Sequence, residues 1–417
     1  MGQGFRILPV REQDRVIYRI LSKRLDTILP VAMREAGIDM WLILCQEDDP
    51  DPVFRTMLPM NTWTPILQML VFHDRGAEGV ERINLSMTNT VGLYQSPWKG
   101  TNQEEQWQML GHLVQERKPH RIGINIGSVA WAAGGLTHNL YTQLQRALPQ
   151  EYVNRLVSAE AACTRWLMTL SEEELGIYPY VVSIAHRIIA ECFSRDTVMP
   201  GVTTTEDLEW AYWQRCVDLG LELAFKPFFS IIRSDEARAV HPEDDRVVRA
   251  GDVLHCDVGL RYLRLNTDHQ ELAYVLRNNE RDAPEGLKRL LVENNRLQRV
   301  YVGEFERGRT GNEMLARMLA KAREEGIPSP KVYSHSLGLY LHQPGPLIGL
   351  PWEQESCPGR GDVRLEYNSC FTMEISVADA VPEWGGQVVR LGTEQDVAFT
   401  KAGCRPMDGV QTAFHLI

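Results

Sequence analysis

The stretch Val253 to Tyr274, VLHCDVGLRYLRLNTDHQELAY, limits what this chain can fold into more than any other. It sets two carboxylates, Asp257 and Asp268, eleven positions apart among apolar and β-prone residues. A plain strand would carry apolar or neutral residues there, so both acids are expected to be at least partly buried. A buried carboxylate must be paired, protonated or bound to a metal. Which of these applies depends on what the remaining chain brings to them.

The chain has 417 residues, for which two domains is the natural expectation. Its net charge of −11 argues against a nucleic-acid partner, which would need a basic face. The eight cysteines are dispersed with no C-x-x-C pair, which fits buried free thiols in a reducing, cytoplasmic setting. No run approaches the roughly 18–20 apolar residues of a membrane span. The N-terminal MGQGFRILPVREQDR lacks the apolar core of a signal peptide. No membrane association is expected.

Residues 12–36 show helical spacing, with Pro30 placed to kink or divide the helix. Met40–Leu44 reads as a buried strand, followed by an acidic loop, Glu47–Pro52, expected to be solvated. Strand candidates at Gln68–Phe72 and Arg121–Ile126 flank an amphipathic helix near Glu105–Arg117. This alternation predicts a small α/β domain over residues 1–160. The tryptophans at 41, 63, 98, 107 and 131 in that domain are expected in its core or at a dimer contact. From Arg165 the texture changes. Helices are predicted from Ser171 to Phe193, from a capping box at Thr203–Glu206 to Val217, and over about 284–306 and 310–325. Strand-like sequence separates and follows these helix pairs. Residues 161–417 should therefore form an α+β domain with a curved, mainly antiparallel sheet.

After the second helix pair, His335 and His342 lie in YSHSLGLYLHQP. Glu374 lies in CFTMEIS, an apolar strand context, and Glu394 in GTEQDVAFT. Singly, each has a structural explanation as a satisfied core histidine or an edge-strand acid. Together, Asp257, Asp268, His335, Glu374 and Glu394 make an oxygen-rich set with one nitrogen donor. Such a set can hold two divalent cations bridged by Asp268 and Glu394, whose charge would balance the four carboxylates. Without cations the acids would repel one another into protonation. Hard oxygen donors favour Mn, with Co, Fe and Zn also admitted.

The series resembles the pita-bread metallopeptidases: methionine aminopeptidase, Xaa-Pro aminopeptidase, prolidase and creatinase. Asp257 and Asp268 match the family's Asp pair, His335 and His342 its H-x-x-G-x-x-x-H run, and Phe371–Glu374 its F-T-x-E. Glu394 and Gly403 match the final Glu and the Gly nine residues on. His241, ahead of Gly251-Asp252-Val253, matches the family's substrate-side histidine. Residues 1–160 look like the creatinase-type N-terminal domain. The resemblance implies a catalytic pita-bread domain over 161–417, and, by analogy, a homodimer.

It also implies a mechanism. Asp257, Asp268 and Glu394 would hold one metal; Asp268, His335, Glu374 and Glu394 would hold the other. A metal-bridged hydroxide would attack a scissile amide, Glu374 would carry the proton to the leaving nitrogen, and His241 and His342 would hydrogen-bond the substrate and its oxyanion. The expected activity is that of an exopeptidase on short peptides, of the Xaa-Pro aminopeptidase or dipeptidase type. Three places depart from the peptidase pattern. Asp268 is followed by His269-Gln270-Glu271-Leu272 where the family reads I-T-R-T, Gly392 stands where an arginine often binds substrate, and Gln343 replaces the usual Glu after His342. These keep two other readings open. One is the same site acting on a non-peptide small molecule, as in ectoine hydrolase-like or dimethylsulfoniopropionate lyase-like relatives. The other is a non-catalytic binding module, which would predict decay of the ligand set. The Arg360-Gly-Asp362 tripeptide reads as chance.

Overall fold

A computed structural model describes residues 6–242 and 245–417. Residues 1–5, on which the reading of the N-terminus partly rests, lie outside the described residues. The chain divides into two compact units, one of Leu8–Glu173 with Gln343–Gly345 and one mainly of Glu174–His342 and Pro346–Ile417.

The first unit is built on a mixed five-stranded sheet. Its strands are β1 (Met40–Gln46), β2 (Leu67–Asp74), β3 (Val80–Asn84), β4 (Ile122–Ile124) and β5 (Leu156–Ser158), in the order β3-β2-β1-β4-β5. Central β1 runs antiparallel to β2 and parallel to β4. Its residues Met40 to Cys45 are buried, as a strand covered on both faces requires. Pro30 does divide the first helix, into Val10–Thr27 and Leu29–Glu35, because proline suits a first helical turn but not an interior. One sequence expectation needs correcting here. Asp51 is not solvated: it is 1% exposed, caps the helix Pro52–Thr56 through the Val53 and Phe54 N–H groups, and accepts from the Asn125 amide at 2.9 Å. Trp41, Trp98 and Trp107 are core residues, whereas Trp63 and Trp131 are exposed.

The second unit carries the remaining strands. β6 (Glu222–Leu223), β9 (Leu260–Tyr262) and β10 (Leu265–Asn266) form a small three-stranded sheet. The main sheet uses β7 (Phe228–Ile232), β8 (Val253–Val258), β11 (His269–Tyr274), β12 (Lys331–Leu337), β13 (Leu347–Ile348), β14 (Ser369–Val381) and β15 (Gln387–Thr400). Their order is β13-β12-β14-β15-β11-β8-β7, each pair antiparallel, with β16 (Gly403–Pro406) antiparallel on β15 and β17 (His415–Leu416) parallel on β11. The helices match the predicted ones: Glu172–Cys192, Thr205–Asp218, Glu285–Gly303 and Gly311–Glu324. The predicted capping box moves by one residue, since it is Thr204 and Asp207 that bond reciprocally.

Period two along the long β14–β15 hairpin decides which face is core. Odd-numbered Phe371, Met373, Ile375 and Val377 face the same core as Val389, Leu391, Val397 and Phe399. Leu287, Leu290, Leu291 and Leu297 of Glu285–Gly303, with Met314, Leu315 and Met318 of Gly311–Glu324, fill the same core at helical spacing. Each such side chain contributes about 1.5–3 kcal/mol by leaving water. The even-numbered face is left for Glu374 and Glu394.

Gly259, between β8 and β9, is a close approach. A Cβ there would lie 2.2 Å from the carbonyl oxygen of Thr267, the neighbour of Asp268. Because the obstacle is backbone, Gly259→Ala should destabilise the protein by about 1–3 kcal/mol in urea unfolding. An unchanged midpoint would show that the turn can relax.

Candidate metal centre

The register of the main sheet places one residue from each of six strands in a single row: Phe228, Asp257, Gln270, Glu394, Glu374 and Tyr333. Directly opposed residues share a face, with Cβ atoms roughly 4.5–5.5 Å apart. Asp268 lies two residues before Gln270 and His335 two after Tyr333, so period two brings both to the same face. All five predicted ligands therefore meet here although the chain separates them by more than a hundred residues.

Two overlapping sets have donor atoms mutually within 4.8 Å: Asp257, Asp268 and Glu394, and Asp268, His335 and His342. Asp268 belongs to both. His335 Nε2 stands 3.4 Å from Asp268 Oδ2, and the His335 and His342 rings pack at 4.3 Å between centroids. Glu374 is paired in register with Glu394 across β14 and β15. His241 is placed apart: it ends the helix Asp235–Val240, with Nδ1 3.5 Å from Asp245.

Burial and mutual repulsion act on the acids together. Burial pushes Asp257 up to about 6 and Glu374 up to about 7, the latter raised further by Asp257 and restrained by a hydrogen bond with Gln270. Asp268 and Glu394 are pushed well above the carboxylate range by burial and by their neighbours' charges. Burial likewise holds His335 and His342 below the usual histidine range, leaving neutral rings suited to ligation or hydrogen bonding. Glu394 is 1% exposed, and its Oε1 has no hydrogen-bond partner among the described residues. A hard divalent cation fits this donor set, because it would neutralise the acids and satisfy that oxygen.

Sequence reading missed three residues of the centre. Asp396, buried, accepts from the Asp268 N–H at 3.4 Å and adds a further acid. Gln270 lies between the acids of the row, bonded to Glu394 at 2.8 Å. Arg360 is half-buried, and its charge acts on Tyr333, His335 and His342. The signal for Asp396 and Gln270 was present, since each stands two residues beyond a predicted ligand in a strand. Arg360 lies in a short turn, Arg360–Asp362, which periodicity does not place.

The profile of metallopeptidase family M24 matches residues 180–401, just over half of the chain and a range within which all five residues of the predicted ligand set fall. The chain belongs to metallopeptidase family M24. It is on that ground a metal-dependent hydrolase, and the sheet described above is that family's pita-bread fold. Solved structures of similar fold include an X-Pro aminopeptidase from Thermotoga maritima MSB8, with a TM-score of 0.65 and 17% identity over 93% of this chain and 100% of that one. A Xaa-Pro dipeptidase from Bacillus anthracis gives 0.60 and 16%, over 96% and 100%. A prolidase from Pyrococcus horikoshii OT3 gives 0.58 and 15%, over 96% and 99%. At this identity the likeness is one of fold. No curated protein matches the sequence.

The raised carboxylates predict a pH dependence of the metal-free M24 protein. Their folded pKa values exceed the unfolded ones, so the folded state binds more protons between the two. Their contribution to stability is thus present at low pH and lost as pH rises through about 6 to about 7. Chelated protein should show a falling Tm from about pH 5 to about pH 7.5, and added Mn should raise Tm most at the upper end. A Tm independent of pH and of Mn would refute the electrostatic picture.

Proposed function

We propose that this M24 member is an exopeptidase on short peptides, of the Xaa-Pro aminopeptidase or dipeptidase type, working with two divalent cations, Mn first among them. What carries the reading is the sharing of Asp268 by two metal-capable sets, which is what a bridging ligand requires. Asp257, Asp268 and Glu394 would hold one cation, and Asp268, His335, Glu374 and Glu394 the other. Bound there, the cations would polarise a scissile carbonyl and lower the pKa of water. Glu374, in register with Glu394 on β14, would accept a proton and deliver it to the leaving nitrogen. His342 keeps part of its surface open to solvent and packs its ring on His335, so it can donate to the carbonyl oxygen; His241 would bind the substrate from its own turn. The Arg360 guanidinium offers an acidic site its nearby cation and would hold a substrate carboxylate.

The same cage acting on a non-peptide small molecule is a second reading, favoured by one observation. Gly392 stands two residues before Glu394 along β15, where an arginine would bind peptide, and the nearest arginine, Arg390, donates instead to Ser376 Oγ and the Ser329 carbonyl. We also read the first unit as a creatinase-type N-terminal domain and expect a cytoplasmic homodimer.

Asp268→Ala should abolish both metal binding and turnover, as followed by elemental analysis and a dipeptide assay. Turnover retained by that variant would remove its bridging role. Xaa-Pro dipeptides and tripeptides should be hydrolysed with added Mn. Uniform inactivity of a fully loaded protein would transfer the reading to a non-peptide substrate.

A further inference from the structure

One hydrogen-bonded chain crosses four strands of the main sheet and ends on the metal centre. It starts at Ser230 on β7, whose Oγ lies 3.4 Å from His255 Nδ1 on β8. His255 Nε2 is 2.9 Å from Gln270 Oε1 on β11. Gln270 Nε2 donates to Glu394 Oε2 on β15 at 2.8 Å. The direction of this chain follows from chemistry alone. A carboxylate that holds a cation is ionised and can only accept, so the Gln270 NH2 must face Glu394. The amide oxygen then faces His255, which must carry its proton on Nε2 and present a lone pair at Nδ1. Only a donor suits that lone pair, and the Ser230 hydroxyl is one.

We propose that Gln270 is a positioning residue for the metal centre, oriented by His255 and Ser230. This deepens the two-metal reading and rests on it. The amide occupies Glu394 Oε2 and leaves Oε1, the oxygen with no hydrogen-bond partner, for a cation. It also fills the place between Asp257 and Glu394 in the row with a neutral donor, where another acid would add repulsion. The assignment explains the sequence departure after Asp268. The threonine of the I-T-R-T pattern is too short to span from a histidine on one neighbouring strand to a glutamate on the other; a glutamine does so. Glu271, where that pattern has its arginine, instead pairs with His415 and takes no part in the chain.

The test is titration of the full-length, metal-stripped protein with Co²⁺, read by calorimetry and by the visible d–d spectrum. Wild type should take up two ions. Gln270→Leu, close in volume, should bind at least one of them about 10–100-fold more weakly, with an altered spectrum. His255→Phe should reproduce that change. The double variant should be no worse than Gln270→Leu, since both lesions break the same chain. Ser230→Ala, a minimal change, gives a smaller loss in the same direction and covers the case in which a larger substitution fails to fold by circular dichroism. Unchanged affinity and spectrum in a folded Gln270→Leu beside a wild type that binds two ions would overturn the positioning role alone. Single effects that simply add would overturn the chain. A wild type that binds no Co²⁺ would overturn the two-metal reading and this inference with it.

Discussion

Like charge held out of water is the constraint on which this structure turns. Four carboxylates of the centre, with Asp396 beside them, occupy one face of one sheet, and burial raises the proton affinity of each. A sheet tolerates that arrangement only if the acids take up protons or something of opposite charge completes it. The rest of the second unit is organised to deliver the acids to one place. An apolar core on the far face of β14–β15 fixes the sheet's shape, a glycine lets the β8–β9 turn close on Thr267, and antiparallel register aligns residues from distant parts of the chain.

The alternation of the hairpin joins stability to chemistry. The same period that sends Met373 and Ile375 into the core sends Glu374 to the centre, and the same holds for Thr393 and Glu394. A slip of one residue would bury the acids in the apolar core and expose the core residues. The core is thus what specifies the register, and the register is what builds the site. In the first unit a buried charge is met differently: Arg24 is buried there with its guanidinium stacked 4.6 Å over the Trp166 ring and donating to the Thr169 carbonyl.

Much of this was legible in the sequence because acids in apolar strands are conspicuous. Asp257, Asp268, Glu374 and Glu394 stood out for that reason, and the helices were readable from their caps and spacing. What escaped reading was whatever depended on strand pairing. Gln270 is an ordinary polar residue until β8 and β15 are placed on either side of it, and His255 until it faces Gln270. Asp51 looked like one acid among several in a loop, and only the fold supplies the helix it caps and the Asn125 that meets it. Arg360 had no periodic context at all. Residues chosen by local environment can be found locally; residues chosen by their neighbours across a sheet cannot.

The ladder between β11 and β15 consists of one residue pair, Gln270 with Glu394, whereas β14 and β15 are matched over thirteen. The sheet is therefore two well-knit halves joined by a thin seam, with Asp257 and Asp268 on one side and His335, Glu374 and Glu394 on the other. Cations held by both groups would stitch the sheet where its backbone pairing is sparsest. Because these ligands come from both halves of the sheet, the cage cannot form until β8 and β11 have joined β12, β14 and β15. Loading would then mark the last long-range step of folding, and a protein short of metal would be a protein with its halves loosely joined.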